Sequence, residues 1–265
     1  MPKLLFFDID GTLLDEKTFK LPGSVVRALN KARENDCLIF LNTGRTLCNL
    51  DKQMSELPLD GMSLGCGTRV IYRIETLCAA EYTHEDSLRL LDIYRKLKIP
   101  TVYECDTALY FDPKGADHKK MAGFKAYADK AGNRRDIRED DPEFLAVKMF
   151  CFIDSDEQRE RLLAELKGAE MPFYAIDRGE EGWELVPEGS TKAGGIDIIR
   201  ERVGASIDDC YVFGDSRNDL TMLTHVKNSV AMGQAPDDVK KLCSYVTDTP
   251  MNDGIEKALK ALKLI

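Results

Sequence analysis

The chain has 265 residues, of which 43% are hydrophobic and 31% charged, and it carries a formal net charge of −9. This supplies enough apolar material for one large domain or a core plus a smaller one, and it excludes a disordered chain. The acidic balance argues against nucleic acid and anionic lipid as partners, and leaves room for a small anion held at a local cationic site.

The N-terminus enters an apolar run at once, and Leu4–Phe7 reads as a short strand buried on both faces. The run is too short for a signal peptide or a membrane span, so a cytoplasmic location is expected. Val25, Val26, Leu29 and Ala32 form a stripe at helical spacing. Cys37–Leu41 predicts a second strand, and Asn42-Thr43-Gly44-Arg45 leads into a helix-like segment reaching about Leu57. Strand, helix and strand joined by short links predict a right-handed parallel βαβ unit.

Residues 81–190 have a different rhythm. Thr101–Glu104 and Ala108–Phe111 flank Asp106-Thr107 as a hairpin, Ala146–Ile153 reads as a strand, and Gln158–Leu166 as a helix with Gly168 as its C-cap. Phe173–Ile176 and Trp183–Val186 flank a Gly/Glu turn as a second hairpin. After it the α/β style resumes, with a helix over Thr191–Val203, strands at Tyr211–Phe213, Val230–Met232 and Tyr245–Val246, a helix from Leu220 and a last helix over Gly254–Leu264. The expected architecture is an α/β doubly wound parallel sheet formed by residues 1–80 and 191–265, with an inserted α+β domain at 81–190.

Three strand ends carry chemistry. Asp8-Ile9-Asp10-Gly11-Thr12 follows the first strand, at the edge where an open α/β sheet binds its ligands. Asp8 and Asp10, two apart, share a face, and adjacent carboxylates repel unless a cation joins them or one holds a proton. Taken alone the segment also reads as an acidic turn. Asn42-Thr43-Gly44-Arg45 offers a hydroxyl, a glycine and a turn suited to phosphate, though a bare Thr-Gly after a strand is ordinary. Gly214-Asp215-Ser216-Arg217-Asn218-Asp219 supplies hard oxygen ligands suited to Mg²⁺, or simply helix caps. Lys192 opens a helix against the dipole, an unfavourable place for a cation unless an anion is near. The eight cysteines are scattered without a C-x-x-C and read as buried thiols in a reducing compartment, and His84, His118 and His225 have no metal-like or triad-like spacing.

Together these segments resemble the haloacid dehalogenase (HAD) superfamily of phosphatases, in its Cof-like branch. The first motif is Asp8–Thr12, the second centres on Thr43, the third is Lys192 and the fourth is Gly214–Asp219. Val230–Pro236 and Asn252–Ile255 are also similar to the branch, and the middle of the chain matches it in length and in the position of an inserted cap. Many relatives have Gly after the third-motif lysine, where this chain has Ala193.

The resemblance implies a Mg²⁺-dependent phosphatase acting on small phosphorylated metabolites, sugar phosphates among them, through an aspartyl phosphate. In that reading Asp8 is the nucleophile and Asp10 the acid and base. Asp8, the Asp10 backbone carbonyl and Asp215 hold Mg²⁺. Ile9, Thr43, Gly44, Lys192 and Asn218 hold the phosphate, and Asp219 positions Lys192 or a metal-bound water. Tyr174, Arg178 and Glu184 are candidate cap residues for choosing the leaving group, while Lys119, Lys120, Lys125 and Lys130 read as a solvated helix face. A phosphosugar mutase of the same superfamily and a non-catalytic binding protein are the rival readings. Oligomeric state is not legible.

Overall fold

A computed structural model describes residues 2–179 and 182–265. In chain order the elements are β1 (Leu4–Phe7), α1 (Gly23–Glu34), β2 (Leu38–Asn42), β3 (Gly61–Leu64), β4 (Arg69–Tyr72), β5 (Glu75–Ala79), α2 (His84–Leu97), β6 (Thr101–Glu104), β7 (Leu109–Phe111), α3 (Met121–Ala131), β8 (Arg134–Asp136), β9 (Lys148–Cys151), α4 (Asp156–Gly168), β10 (Phe173–Asp177), β11 (Trp183–Pro187), α5 (Lys192–Val203), β12 (Cys210–Gly214), α6 (Leu220–His225), β13 (Asn228–Ala231), α7 (Asp237–Lys240), β14 (Tyr245–Val246) and α8 (Gly254–Ala261). They divide into two compact units, one of residues 1–44, 51–79 and 191–265, the other of residues 45–50 and 80–190.

The first unit is an eight-stranded sheet in the order β14-β13-β12-β1-β2-β3-β4-β5. β14 through β3 run parallel, and β4 and β5 extend the sheet antiparallel. β1 is central because all four of its side chains are apolar and fully buried, a strand covered on both faces. Leu4 and Phe6 pack with Ile196 and Ile199 of α5 and Met222 and Leu223 of α6. Leu5 and Phe7 point the other way, and Phe7 stacks on Phe213. The parallel register of β1 with β12 and β2 brings the carboxyl ends of three strands to one edge.

The second unit is a six-stranded sheet in the order β10-β11-β9-β6-β7-β8, antiparallel except for β7 with β8. On one face Tyr103, Met149 and Leu185 pack against Leu90, Leu91 and Tyr94 of α2 and Leu162 and Leu166 of α4. On the other, Val102, Phe111 and Phe150 pack with Met121 and Ala128 of α3, the helix that carries Lys125 and Lys130. In the turn between β10 and β11, Glu180 and Glu181 lie outside the described residues.

Three sequence expectations are corrected. The segment from Arg45 to Leu57 is not a helix: two short 3₁₀ turns, Leu47–Asn49 and Lys52–Glu56, are separated by an extended Leu50. Leu57 is extended as well, the conformation favoured before Pro58. Residues 45–50 group with the second unit, not with the first: Cys48 Sγ donates to Cys105 O at 3.1 Å, and Asn49 Nδ2 to Glu104 Oε2 at 3.2 Å. Gly168 is the last helical residue of α4, not its cap; Ala169 caps the helix and the left-handed position falls on Glu170.

All eight cysteines are free thiols. Among the described residues, no helix is long and apolar enough to cross a membrane.

Candidate active site

The site is built at the carboxyl edge of the parallel sheet, from side chains of the first unit alone. β1 ends at Phe7, and the Asp8 amide still donates to Phe213 O at 3.0 Å, so the strand ladder fixes the backbone of Asp8. The chain then folds into a tight turn in which Ile9 O accepts from the amides of Thr12, Leu13 and Leu14. Gly11 is required there. Its φ is +77°, and a Cβ would fall 2.1 Å from Asp215 Oδ2, so only a bare Cα lets Asp215 approach. Thr12 Oγ1 donates to Asp215 Oδ1 at 3.4 Å. The Ile9 side chain is fully buried, so only its backbone is available to a ligand. Asp10 is half-buried.

Lys192 is the first residue of α5. Thr191 caps that helix, its side chain accepting from Gly194 N at 2.8 Å. The ammonium, 1% exposed, lies 2.7 Å from Asp8 Oδ1 and 2.5 Å from Asp219 Oδ1. The anions that offset its position against the helix dipole are therefore these two carboxylates. Asp219 is held in turn, its Oδ2 accepting from the amides of Asp215 at 3.0 Å and Ser216 at 3.1 Å. This capping box at the end of β12 sets the position of Asp215. Ser216 Oγ hydrogen-bonds Asn218 Oδ1, which orients the half-buried Asn218 amide. Thr43, 1% exposed, follows β2 directly; its N–H donates to Ser63 O and its carbonyl accepts from Cys66 N, each at 2.9 Å. Gly44 follows, half-buried.

The electrostatics are unbalanced. Asp8, Asp215 and Asp219 are all buried, with ligand oxygens within 4.8 Å of one another, and one ammonium faces them. Burial, then the charges of Asp219 and Asp8, push the Asp215 carboxyl up to about 8. Burial and the charge of Asp219 also raise Asp8, against the pull of Lys192. Burial alone would lower Lys192, but Asp219 and Asp8 outweigh it and hold the amine firmly protonated. Repelling hard oxygens with surplus negative charge are a donor set that fits a divalent cation such as Mg²⁺. Asp219 has both oxygens engaged by Lys192 and by backbone amides, so Asp8 and Asp215 are the members better placed to ligate.

Sequence reasoning gave no role to three side chains that the fold brings here. Gln234 Nε2 donates to Gly11 O, tying the loop after β13 to the turn after β1. Asn42 Nδ2 donates to Lys192 O at 2.9 Å. Ser63 Oγ lies where a Cβ on Gly195 would fall, 2.0 Å away. These are long-range contacts with no local pattern to announce them. The candidate cap residues Tyr174, Arg178 and Glu184 belong to the second unit, as do His84 and His118. His225 Nε2 pairs with Asp197 at 3.0 Å and His118 stacks on Phe152, both structural placements.

A family model for haloacid dehalogenase-like hydrolases matches residues 5–259. The YkrA protein of Bacillus subtilis (strain 168) is 28% identical over 99% of this chain and 98% of its own. The 5-amino-6-(5-phospho-D-ribitylamino)uracil phosphatase YcsE of the same organism is 25% identical, over 97% of this chain and 94% of its own. Among solved structures, the HAD subclass IIB sugar phosphatase BT4131 superposes with a TM-score of 0.81 at 27% identity, covering 99% of this chain and 100% of that one. The chain belongs to the haloacid dehalogenase-like hydrolase family, as one of its phosphatases.

Proposed function

We propose that this phosphatase hydrolyses phosphate monoesters of small metabolites, sugar phosphates among them, through an aspartyl phosphate on Asp8 and with Mg²⁺ as cofactor. The observation that carries the reading is the buried cluster in which Lys192 bridges Asp8 and Asp219 beside Asp215.

Asp8 attacks phosphorus in line; an Asp8 Oδ–P bond forms as the bond to the leaving oxygen breaks. Asp10 gives its proton to the departing alkoxide, then takes one from the water that attacks the aspartyl phosphate, which frees orthophosphate and restores Asp8. Lys192, the Thr43 hydroxyl, the Gly44 and Ile9 backbone and the Asn218 amide hold the phosphoryl oxygens, so that charge developing on them meets fixed donors. Asp219 keeps Lys192 aimed at Asp8. Asp8, the Asp10 backbone carbonyl and Asp215 would hold Mg²⁺, which when bound neutralises charge shared by the carboxylate and the phosphoryl group. The second unit chooses the leaving group, with Tyr174, Arg178 and Glu184 as the residues to vary.

The test is phosphate release from a panel of sugar phosphates, nucleotides and an aryl phosphate, with Mg²⁺ or with chelator. Wild type is expected to turn over only with Mg²⁺ and Asp8→Asn not at all. Turnover by Asp8→Asn equal to wild type would remove Asp8 from the mechanism, and bisphosphate-activated isomerisation of a sugar phosphate would make the protein a mutase.

A further inference from the structure

Lys192 and Thr43 come from distant parts of the chain, yet the proposed chemistry needs both on one phosphoryl group. Something must fix their spacing to a fraction of an ångström. We propose that the turn Gly65–Cys66–Gly67, after β3, is the positioning element that holds the start of α5, and so Lys192, in register with the phosphate corner at Thr43. This inference rests on the functional reading above, in which both residues bind phosphate.

On one side the β3 end brackets the Thr43 peptide. Ser63 O accepts the Thr43 amide and Cys66 N donates to the Thr43 carbonyl, each at 2.9 Å. On the other side the same turn lies flush against the N-cap of α5. A Cβ on Gly67 would stand 2.3 Å from Thr191 O, 3.0 Å from its carbonyl carbon and 3.1 Å from its amide nitrogen. Those are backbone atoms of the residue before Lys192, and they cannot swing aside. Between these contacts Cys66 is buried and held at φ 59°, ψ 37°, a left-handed conformation that a β-carbon disfavours. Such a conformation persists only where the surroundings over-determine it, and it concentrates where geometry serves function.

Two further contacts lie beside the turn. Asn42 and Ser63 are register partners on β2 and β3. Asn42 ties its amide to Lys192 O, and Ser63 Oγ abuts Gly195, one turn into α5. The helix thus lies close against the sheet edge, through backbone atoms at Gly67 and through the Ser63 side chain at Gly195. A bulkier residue at Gly67 or Gly195 must move the helix start, and Lys192 with it, away from Thr43.

The experiment is Gly67→Ala, read three ways: kcat across the ester panel, thermal midpoint, and the rise of that midpoint on adding orthophosphate. In that reading Thr43 and Lys192 meet no part of the ester but its phosphoryl group, so kcat is expected to fall by about tenfold or more, by the same factor on every ester. Protection by orthophosphate is expected to weaken alongside. A merely structural role lowers the midpoint but leaves both of those readings unmoved. A folded Gly67→Ala whose kcat and phosphate protection stay within about twofold of wild type overturns the proposal. Should that variant not fold, Gly195→Ala presses on the adjoining contact, between α5 and Ser63 of the strand that leads into the turn. Its turnover is expected to fall and to recover when Ser63→Gly is added, which removes the atoms that a Cβ on Gly195 would meet. Full activity of Gly195→Ala, or no recovery in the double variant, overturns the proposal. If wild type releases no phosphate from any ester, the functional reading fails separately, and orthophosphate protection still compares Gly67→Ala with wild type.

Discussion

Lys192 Nζ stands 2.5 Å from Asp219 Oδ1, and both side chains are shut off from solvent. The second oxygen of Asp219 is bound by two backbone amides, so the carboxylate cannot rotate away from the lysine. Asp219 is therefore a fixed stop for the cation and a cap for its own turn at once.

Asp219→Ala removes one partner of a buried pair and uncaps the Asp215 and Ser216 amides. The variant is expected to lose about 3 kcal/mol of unfolding free energy, the low end for breaking a buried pair because Asp8 still faces Lys192. The loss reads as a lower urea midpoint at an unchanged slope. Turnover should fall with it, since Lys192 then keeps only Asp8 as its partner and loses the fixed carboxylate that sets its position. An unshifted midpoint would show that the pair contributes nothing to the fold.

Asp215 gives a pH prediction. Its ordinary value of 3.8 is raised to about 8 by burial and by the charges of Asp219 and Asp8. Between those values the folded chain keeps a proton that the unfolded chain releases. The stability this contributes is full at low pH and is lost as pH rises through that window. In chelator, the component of the thermal midpoint due to this group should decline from about pH 4 to about pH 8. Asp215→Asn should flatten the profile, and Mg²⁺ should lift the alkaline end of the wild-type curve. Identical slopes for wild type and Asp215→Asn would sink the idea.

Gly11 and Gly132 make a matched pair. Both are left-handed, at φ +77° and +73°, but a Cβ on Gly11 meets Asp215 while one on Gly132 meets nothing within 4 Å. Gly132→Ala is expected to cost about 1 kcal/mol, the conformational term alone, with activity untouched. Gly11→Ala carries that term and also displaces Asp215, so the Mg²⁺ concentration for half-maximal activity should rise by about tenfold, the effect of about 1.4 kcal/mol. Equal Mg²⁺ dependence in the two variants would mean that Asp215 is not a ligand.

The parts of this protein legible in its sequence are those where a local pattern has one physical meaning. Leu4–Phe7 and Tyr211–Phe213 are apolar runs ending in acids, and both are central strands whose ends meet. The Arg45–Leu57 segment failed because its apolar spacing suits a helix while Pro58, the extended Leu50 and contacts to Cys105 and Glu104 dictate otherwise. β4 and β5 were not foreseen, since half-exposed strands carry only weak alternation. The contacts of Asn42 with Lys192, of Ser63 with Gly195 and of Gln234 with Gly11 are set by the topology, and no window of neighbouring residues contains them. Glu104, Lys148 and Glu184 are the sharpest case: the sequence offered Glu184 as a residue for choosing the leaving group and gave Glu104 and Lys148 no role, and the three are buried together.

That buried trio yields the last prediction. Lys148 Nζ pairs with Glu184 and lies 3.3 Å from Glu104, and the three side chains are almost shut off from water. Burial, then the charge of Glu184, raises the Glu104 carboxyl, and Lys148 opposes them. Lys148→Met keeps most of the volume but leaves both carboxylates without the ammonium that offset them. At pH 8 the variant should be less stable than wild type by about 3 kcal/mol. At pH 5 the deficit should shrink, because carboxyls freed from the lysine take up protons more readily in the folded state, which then binds more protons than the unfolded chain. Adding Glu184→Leu removes the excess charge and should recover much of the loss, a coupling that a double-mutant cycle measures directly. Urea unfolding of the four proteins at both pH values decides the matter. A deficit independent of pH and unrelieved by Glu184→Leu would assign the loss to the packing of the lysine stem instead of its charge.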